Sequence, residues 1–233
     1  MLNPGKVTII VPAFNEEDRL GKTLDALIHC GIGDEIIVID DGSSDDTAKI
    51  ATDRKVRLLR RPRNRGKGAA LNAGLAASLG EIIMFVDADL GDSASNIVPV
   101  LEEVKNGNAD LAIASFSTPG GFGMVLRLAR MGVRLLSGFK SQTPLSGQRA
   151  LRRDVLQSVY PLRSDFGVET AMLIDAVRGG FRVSEVPVSL SHRTTGRNLR
   201  GFLHRARQGF DVARALTSEI FKSFHKKPSG NDD

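Results

Sequence analysis

Short apolar runs alternate along the first half of the chain with stretches whose apolar residues recur at helical spacing. Val7 to Val11, Glu35 to Ile39, Val56 to Leu59 and Ile82 to Val86 read as strands; Glu16 to His29, Asp45 to Asp53 and Lys67 to Leu79 read as helices. Such alternation predicts a mainly parallel sheet with right-handed crossovers and helices on both faces, a Rossmann-like α/β fold. A helix over Ser95 to Lys105 and a strand over Asp110 to Ala114 continue it. The glycine-rich stretch Thr118 to Gly123 breaks the rhythm as a candidate lid or hinge. Beyond it the pattern predicts a helix over Met124 to Leu136, a loop over Ser141 to Gly147, helices over Asp154 to Val159 and Val168 to Arg178, and a strand near Phe181 to Leu190. From Leu199 to Lys227 the chain reads as an amphipathic helix, with Phe202, Phe210, Leu216 and Phe221 on one stripe and arginines and lysines over much of the rest. The expected organisation is one domain over residues 1–198, with halves at 7–92 and 110–198, then the helix 199–227 and a disordered tail 228–233.

The strand at Ile82 to Val86 carries five apolar residues in succession, as in a strand buried on both faces, and then ends in Asp87-Ala88-Asp89. Strand alternation would set the two carboxylates on one side about 7 Å apart, at the carboxyl end where open α/β sheets bind ligands. A pair so placed suits a hard divalent cation shared with substrate phosphates. Three other strand ends are equally polar. Pro12-Ala13-Phe14-Asn15-Glu16 follows the first, with Asn15 expected as an N-cap. Asp40-Asp41-Gly42-Ser43-Ser44-Asp45 follows the second, where Ser44 or Asp45 can cap a helix and a carboxylate can accept from a base N–H or a ribose hydroxyl. Arg63-Asn64-Arg65-Gly66-Lys67-Gly68 opens a helix; it lacks the Walker spacing, but its glycines allow close backbone approach and Lys67 supplies charge for an anion.

Composition narrows the partners. A net charge of +5 and a pI near 9.6 favour anionic ones. The single cysteine, Cys30, excludes an internal disulfide and a cysteine-cluster zinc site, and no apolar run reaches the length of a membrane span, so a cytoplasmic protein is expected. The basic run from Arg54 to Lys67 raises nucleic-acid binding as an alternative, but a chain with no Trp and one Tyr lacks the stacking residues of a single-strand reader.

Taken together, Val11-Pro12-Ala13-Phe14-Asn15-Glu16-Glu17, Asp40-Asp41-Gly42-Ser43, Arg65-Gly66-Lys67-Gly68 and Asp87-Ala88-Asp89 resemble, in content and order, the nucleotide-sugar half of family-two-like GT-A glycosyltransferases. The resemblance implies that Pro12, Ala13, Phe14, Glu16 and Asp41 hold the nucleoside with Ala88 beside them, Lys67 a phosphate, Asp87 the ribose or metal, and Asp89 the metal. In the second half, Pro144-Leu145-Ser146-Gly147-Gln148, Phe166-Gly167-Val168-Glu169 and Ser191-His192-Arg193 resemble three segments of the glucosyl-3-phosphoglycerate synthases. By that likeness His192 is a metal ligand with Asp89, Glu169 accepts from a sugar hydroxyl, and Leu145, Ser146 and Gly147 contact the sugar. The ion expected is Mg2+ or Mn2+, the donor a UDP or GDP sugar. Phe122 and Met124 fall where that family grips its phosphoglycerate, so a different acceptor is expected, small or lipid-linked.

The resemblance implies a catalytic group of Asp89, Lys67 and Glu169, with the metal and Lys67 stabilising the leaving pyrophosphate. Retention is the expected outcome. An inverting polyprenyl-phosphate transferase, resembling the dolichol-phosphate mannosyl synthases and using Asp165 or Glu169 as base, is the alternative. A non-catalytic nucleotide-binding protein on the same fold is a third. The helix from Leu199 is expected to pack on the domain, pair two copies, or rest weakly on the inner face of an anionic membrane.

Overall fold

The structure is a computed structural model and describes residues 3–116, 123–162 and 167–191. In chain order these hold β1 (Asn3–Ala13), α1 (Leu20–Cys30), β2 (Glu35–Asp40), α2 (Thr47–Asp53), β3 (Arg57–Arg60), α3 (Lys67–Ala77), β4 (Gly80–Phe85), a 3-10 turn (Gly91–Ile97), α4 (Val98–Lys105), β5 (Leu111–Ser115), α5 (Gly123–Ser137), β6 (Arg149–Arg152), α6 (Leu156–Val159), α7 (Val168–Arg178) and β7 (Val183–Pro187). The strands make one sheet of order β3-β2-β1-β4-β6-β5-β7, in which β6 runs antiparallel to both neighbours and every other pairing is parallel.

Strand alternation divides the core. Ile10, Ile37, Ile39, Ile83 and Phe85 face α3, α5 and α7, while Ile9, Val11, Val38, Met84 and Val86 face the opposite way with Leu20, Leu24 and Leu101 from α1 and α4. All of these are essentially inaccessible to water, each worth about 1.5–3 kcal/mol of transfer free energy. Helix α3 lies close on the sheet because Gly74 faces it: a Cβ there would come within 2.5 Å of Ile10 and 2.9 Å of Ile39. No helix among the described residues is long and apolar enough to cross a membrane.

The parallel first half is as the sequence predicts, but several boundaries differ. Helix α1 begins at Leu20, not Glu16, and Asn15 is not its cap. Asn15 instead takes a left-handed backbone (φ 55°), receives the Ser44 N–H on its Oδ1 at 3.0 Å and donates its own N–H to Ser43 Oγ at 2.9 Å. The same amide that would cap a helix thus bridges two strand-end loops. Neither Ser44 nor Asp45 is the N-cap of α2, which is Asp46, although Asp45 Oδ1 accepts from the Thr47 N–H at 3.0 Å. The stretch from Ser95 is 3-10 up to Ile97, turning α-helical only at Val98. Similarly, Asp154 and Val155 belong to a 3-10 turn and α6 starts at Leu156. The last strand is shorter than Phe181 to Leu190, because only Val183 to Pro187 have a partner along β5. Strand β6 was not expected at all. Of the expected lid Thr118 to Gly123, Gly123 is the first residue of α5 and the rest, like the helix 199–227, falls outside the described residues.

Candidate active site

The acid pair does not sit on the strand. β4 ends at Phe85, and although the Val86 N–H still bonds the Ile10 carbonyl at 3.1 Å, Asp87-Ala88-Asp89 belong to the loop that follows. Side-chain alternation therefore does not set their relative direction. Helix α1 fixes this loop instead. Thr23 Oγ donates to the Ala88 carbonyl at 2.8 Å and accepts the Gly91 N–H at 2.8 Å, and Arg19 donates to the Asp89 carbonyl at 2.9 Å.

Lys67, the first residue of α3, reaches across the sheet end to both halves of the chain. Its Nζ is 2.6 Å from Asp87 Oδ1 and 2.9 Å from Glu169 Oε1 on α7. Burial works against the Lys67 charge, but attraction to Asp87 and then Glu169, with hydrogen bonds to both, outweighs it and holds the ammonium above the usual lysine range. Glu169 is 8% exposed, so it does not lie on a solvated helix face. The other Asp87 oxygen accepts from Gln148 Nε2 at 2.6 Å. Gly147 completes the cluster by having no side chain, since a Cβ would meet Lys67 Nζ and lie 2.6 and 2.8 Å from the Asp87 oxygens.

Two residues, buried Arg149 and half-buried Glu185, hold this arrangement. The Arg149 guanidinium on β6 donates to the Ser146, Glu169 and Pro144 carbonyls at 2.8, 2.7 and 2.9 Å, joining the 144–147 loop to the start of α7. Burial pushes its pKa down to about 10, against the pull of Glu169, Glu185 and Asp87. On β7, Glu185 accepts from Ser141 Oγ at 2.5 Å and from the N–H groups of Gln142 and Thr143 at 2.8 and 3.1 Å, anchoring the loop's start. Gln148, Arg149 and Glu185 were missed in the sequence. A glutamate inside a five-residue strand and an arginine directly before Ala-Leu were the available signals.

At the neighbouring strand ends, Asp41 Oδ2 accepts the N–H groups of Arg65 and Gly66 at 3.0 and 2.9 Å, shaping the turn into α3. Its Oδ1 is 2.8 Å from Arg61 Nη1 but lacks an aligned hydrogen bond, leaving a buried acceptor. Ala13 is buried, Pro12 and Glu16 half-buried and Phe14 exposed beside this turn, and the Glu16 N–H donates to Thr47 Oγ at 2.9 Å. Leu145, Ser146, Gly147, Ala88 and Asp89 fall on loops bordering the Lys67 cluster. Among the described residues no three His, Cys, Asp or Glu side chains gather as a complete metal-binding group. His192, Phe122 and Asp165 lie outside the described residues.

A mostly parallel sheet with one reversed strand, acid-ended strands and a lysine opening α3 define the nucleotide-sugar domain of the GT-A glycosyltransferases. The model for glycosyl transferase family 2 matches residues 8–159, and the chain belongs to that family. Over 195 residues it is 33% identical to the glucosyl-3-phosphoglycerate synthase of Mycolicibacterium paratuberculosis, covering 72% of this chain and 59% of that protein. Over 213 residues it is 29% identical to the dolichol-phosphate mannosyltransferase of Pyrococcus furiosus, covering 82% and 58%. The chain thus spans less than two thirds of the length of these two relatives. The crystal structure of the Mycobacterium tuberculosis glucosyl-3-phosphoglycerate synthase with Mn2+, UDP-glucose and phosphoglyceric acid matches with a TM-score of 0.79 at 27% identity, covering 93% of this chain and 80% of that one. That synthase with Mg2+ and UDP also gives 0.79 at 27% identity, covering 92% and 79%.

Proposed function

We propose that this chain moves a sugar from a UDP-type nucleotide sugar to an acceptor, with Mn2+ or Mg2+ assisting departure of the nucleoside diphosphate. The observation that carries the reading is the Lys67 ammonium held between Asp87 and Glu169 at the carboxyl end of the sheet, against the bare backbone of Gly147. The complexes of the related synthase with UDP, UDP-glucose and either ion support the donor and the metal.

The residues present fit a hard cation. Asp87 and Asp89 offer carboxylate oxygens on one loop, but both Asp87 oxygens are engaged by Lys67 and Gln148. Asp89, the second acid of that loop, would hold the ion together with His192, and imidazole suits manganese better than magnesium. When bound, the ion supplies Lewis-acid stabilisation of the leaving charge. Lys67 shares that charge through its ammonium. Asp41 Oδ1, the buried acceptor lacking an aligned donor, receives a base N–H, with Pro12, Ala13, Phe14 and Glu16 around the nucleoside and Ala88 next to the ribose. Glu169 accepts from a sugar hydroxyl, and the backbone of Leu145 to Gly147 borders the sugar.

Glu169 is committed to Lys67, which supports a front-face transfer with retention, where the leaving phosphate oxygen takes the acceptor proton and no protein base is needed. The acceptor is not 3-phosphoglycerate but a small molecule or a lipid-linked group. Met124, at a position aligned with that family's phosphate grip, is an exposed thioether that offers no donor to an anion. The segment 199–227 provides a peripheral contact, to a second copy or a membrane.

Calorimetric titration of UDP tests the reading. Binding should need Mn2+ and be lost on chelation or in Asp89→Ala; equal affinity with and without the ion removes the metal. Mass spectrometry of reactions with UDP-glucose, Mn2+ and 3-phosphoglycerate should show no glucosylated product, and efficient product formation overturns the acceptor assignment.

A further inference from the structure

Helix α5 has two apolar sides. Ala129 and Val133 are buried against the core. At about 100° per residue, Met124, Met131 and Leu135 fall within about 40° of arc away from that side, with Leu128 beside them at the margin of the core. Of these, Met124 is 85%, Met131 55% and Leu135 76% exposed, while Leu128 is partly buried. A surface helix ordinarily presents polar residues there. The only charged residues in its sequence, Gly-Met-Val-Leu-Arg-Leu-Ala-Arg-Met-Gly-Val-Arg-Leu-Leu-Ser, are Arg127, Arg130 and Arg134, with no acid. Arg130 is turned aside, giving Nε and Nη2 to the Gln142 carbonyl at 2.8 and 2.6 Å. Arg127 and Arg134 are exposed along one flank of the stripe and form no ion pair with a described residue.

The helix also has a direction relative to the site. Its last turn is tied to the end of α7 through Arg178 Nε and the Leu136 carbonyl at 2.8 Å, while the first turn of α7 carries Glu169. The two helices thus run side by side, and the Met124 end of the stripe lies towards the carboxyl end of the sheet, where Lys67 and Asp87 meet.

We propose that this face of α5 is a docking surface for an anionic lipid bilayer. Met124, Met131 and Leu135 enter the boundary between headgroups and acyl chains, and Arg127 and Arg134 pair with lipid phosphates. Charge complementarity selects this occupant. The face holds only cations and apolar groups on a chain of net charge +5, a combination that disfavours a second copy of the same face and favours an anionic, apolar-cored surface. The inference does not rest on the transfer reaction, since neither donor nor acceptor takes part in docking.

The test is co-sedimentation of the full chain with phosphatidylglycerol–phosphatidylcholine vesicles and with phosphatidylcholine alone, at low salt. The parent should bind the anionic vesicles and lose most binding in high salt. Arg127→Gln with Arg134→Gln should weaken partitioning by about fivefold per arginine, since each basic residue near such a surface is worth about 1 kcal/mol. Met131→Gln with Leu135→Gln should lower it at least as far. These side chains are exposed, so all variants should keep the parent's unfolding temperature and UDP affinity, and the segment from Leu199 is untouched in each. Absence of parent binding overturns the proposal, as does unchanged binding by both pairs of variants. A parent dimer that Met131→Gln with Leu135→Gln converts to monomers overturns it in favour of an interface between copies.

Discussion

Gly147→Ala isolates the role of empty space in the Lys67 cluster. Gly147 does not adopt a left-handed backbone, so alanine brings no conformational strain and the only change is a methyl group. That methyl would stand 2.6 and 2.8 Å from the Asp87 oxygens and closer still to Lys67 Nζ, against about 3.4 Å for ordinary contact. Relief needs the Asp87 carboxylate to retreat by about 0.6–0.8 Å. Its 2.6 Å contacts with Lys67 and Gln148 then lengthen beyond good hydrogen bonds. Lys67 and Asp87 are each about a quarter exposed, so solvent screening reduces their pair to roughly 1 kcal/mol. Overpacking adds to this for a total of about 1–3 kcal/mol, or an unfolding temperature lower by about 3–10 °C. Function should suffer more, because a displacement near 1 Å at positioned groups costs about 100-fold in rate. UDP–Mn2+ calorimetry, initial rates of donor hydrolysis and thermal unfolding measure the three effects. Gly123→Ala, where a Cβ meets nothing within 4 Å, is the control and should match the parent. If Gly147→Ala kept UDP affinity and hydrolysis within twofold of the parent, the cluster would not be where the donor binds.

Arg149→Met should destabilise the fold by about 1.5–6 kcal/mol in urea unfolding: three charge-assisted bonds to buried carbonyls are lost at about 1.5–3 kcal/mol each, offset by about 3 kcal/mol for a guanidinium no longer desolvated. A loss below about 1 kcal/mol would mean that the 144–147 loop is held by other contacts. Asp110→Asn should flatten the acid limb of the stability curve: hydrogen bonds from Arg182, working against burial, hold the Asp110 carboxyl below its ordinary range. Its stabilisation is therefore complete above the unfolded pKa near 3.8 and lost as the pH falls through the lower folded value. Denaturant melts between pH 2 and 6 measure it, and parallel curves for parent and variant count against the coupling. His192→Ala should raise the Mn2+ concentration needed for donor hydrolysis well above that of Arg193→Ala, and equal behaviour removes His192 from the metal site.

The parallel half of the fold was legible because its strands are nearly pure apolar runs, and burial on both faces demands that composition. Ile9 and Ile10, or Ile83 and Met84, face opposite sides of the sheet, and both environments are dry. Strand β6 was illegible for the converse reason. Its sequence is Arg-Ala-Leu-Arg, and Arg149 is buried only because three backbone carbonyls, two in the loop just before it and one at the start of α7, receive its charge. Those carbonyls leave no trace in the sequence. Asn15 was misread because one side chain suits either a helix start or a bridge to a neighbouring loop, and only the fold decides between them. The strand-end acids were found by position. That Asp87 is occupied by Lys67 and Gln148 while Asp41 spends one oxygen on the turn into α3 is tertiary information.

The reversed strand also bears on the order of assembly. β1, β2 and β3 pair through crossovers of some twenty to twenty-seven residues, whereas β4 joins β1 across about seventy-five, β6 joins β4 across some sixty-five and β7 joins β5 across about seventy. Loop-closure entropy makes the β1–β3 part the earlier one to form, and the later strands must find it afterwards. Lys67 follows the early strands directly; Asp87 and Glu169, its partners at 2.6 and 2.9 Å, and Gln148, which donates to Asp87, come with the elements that join late. Lys67 therefore acquires its full setting only in the final stage of folding. In a refolding experiment, recovery of UDP binding should follow the slowest phase of backbone structure, so a half-folded chain holds no competent site with which to sequester donor.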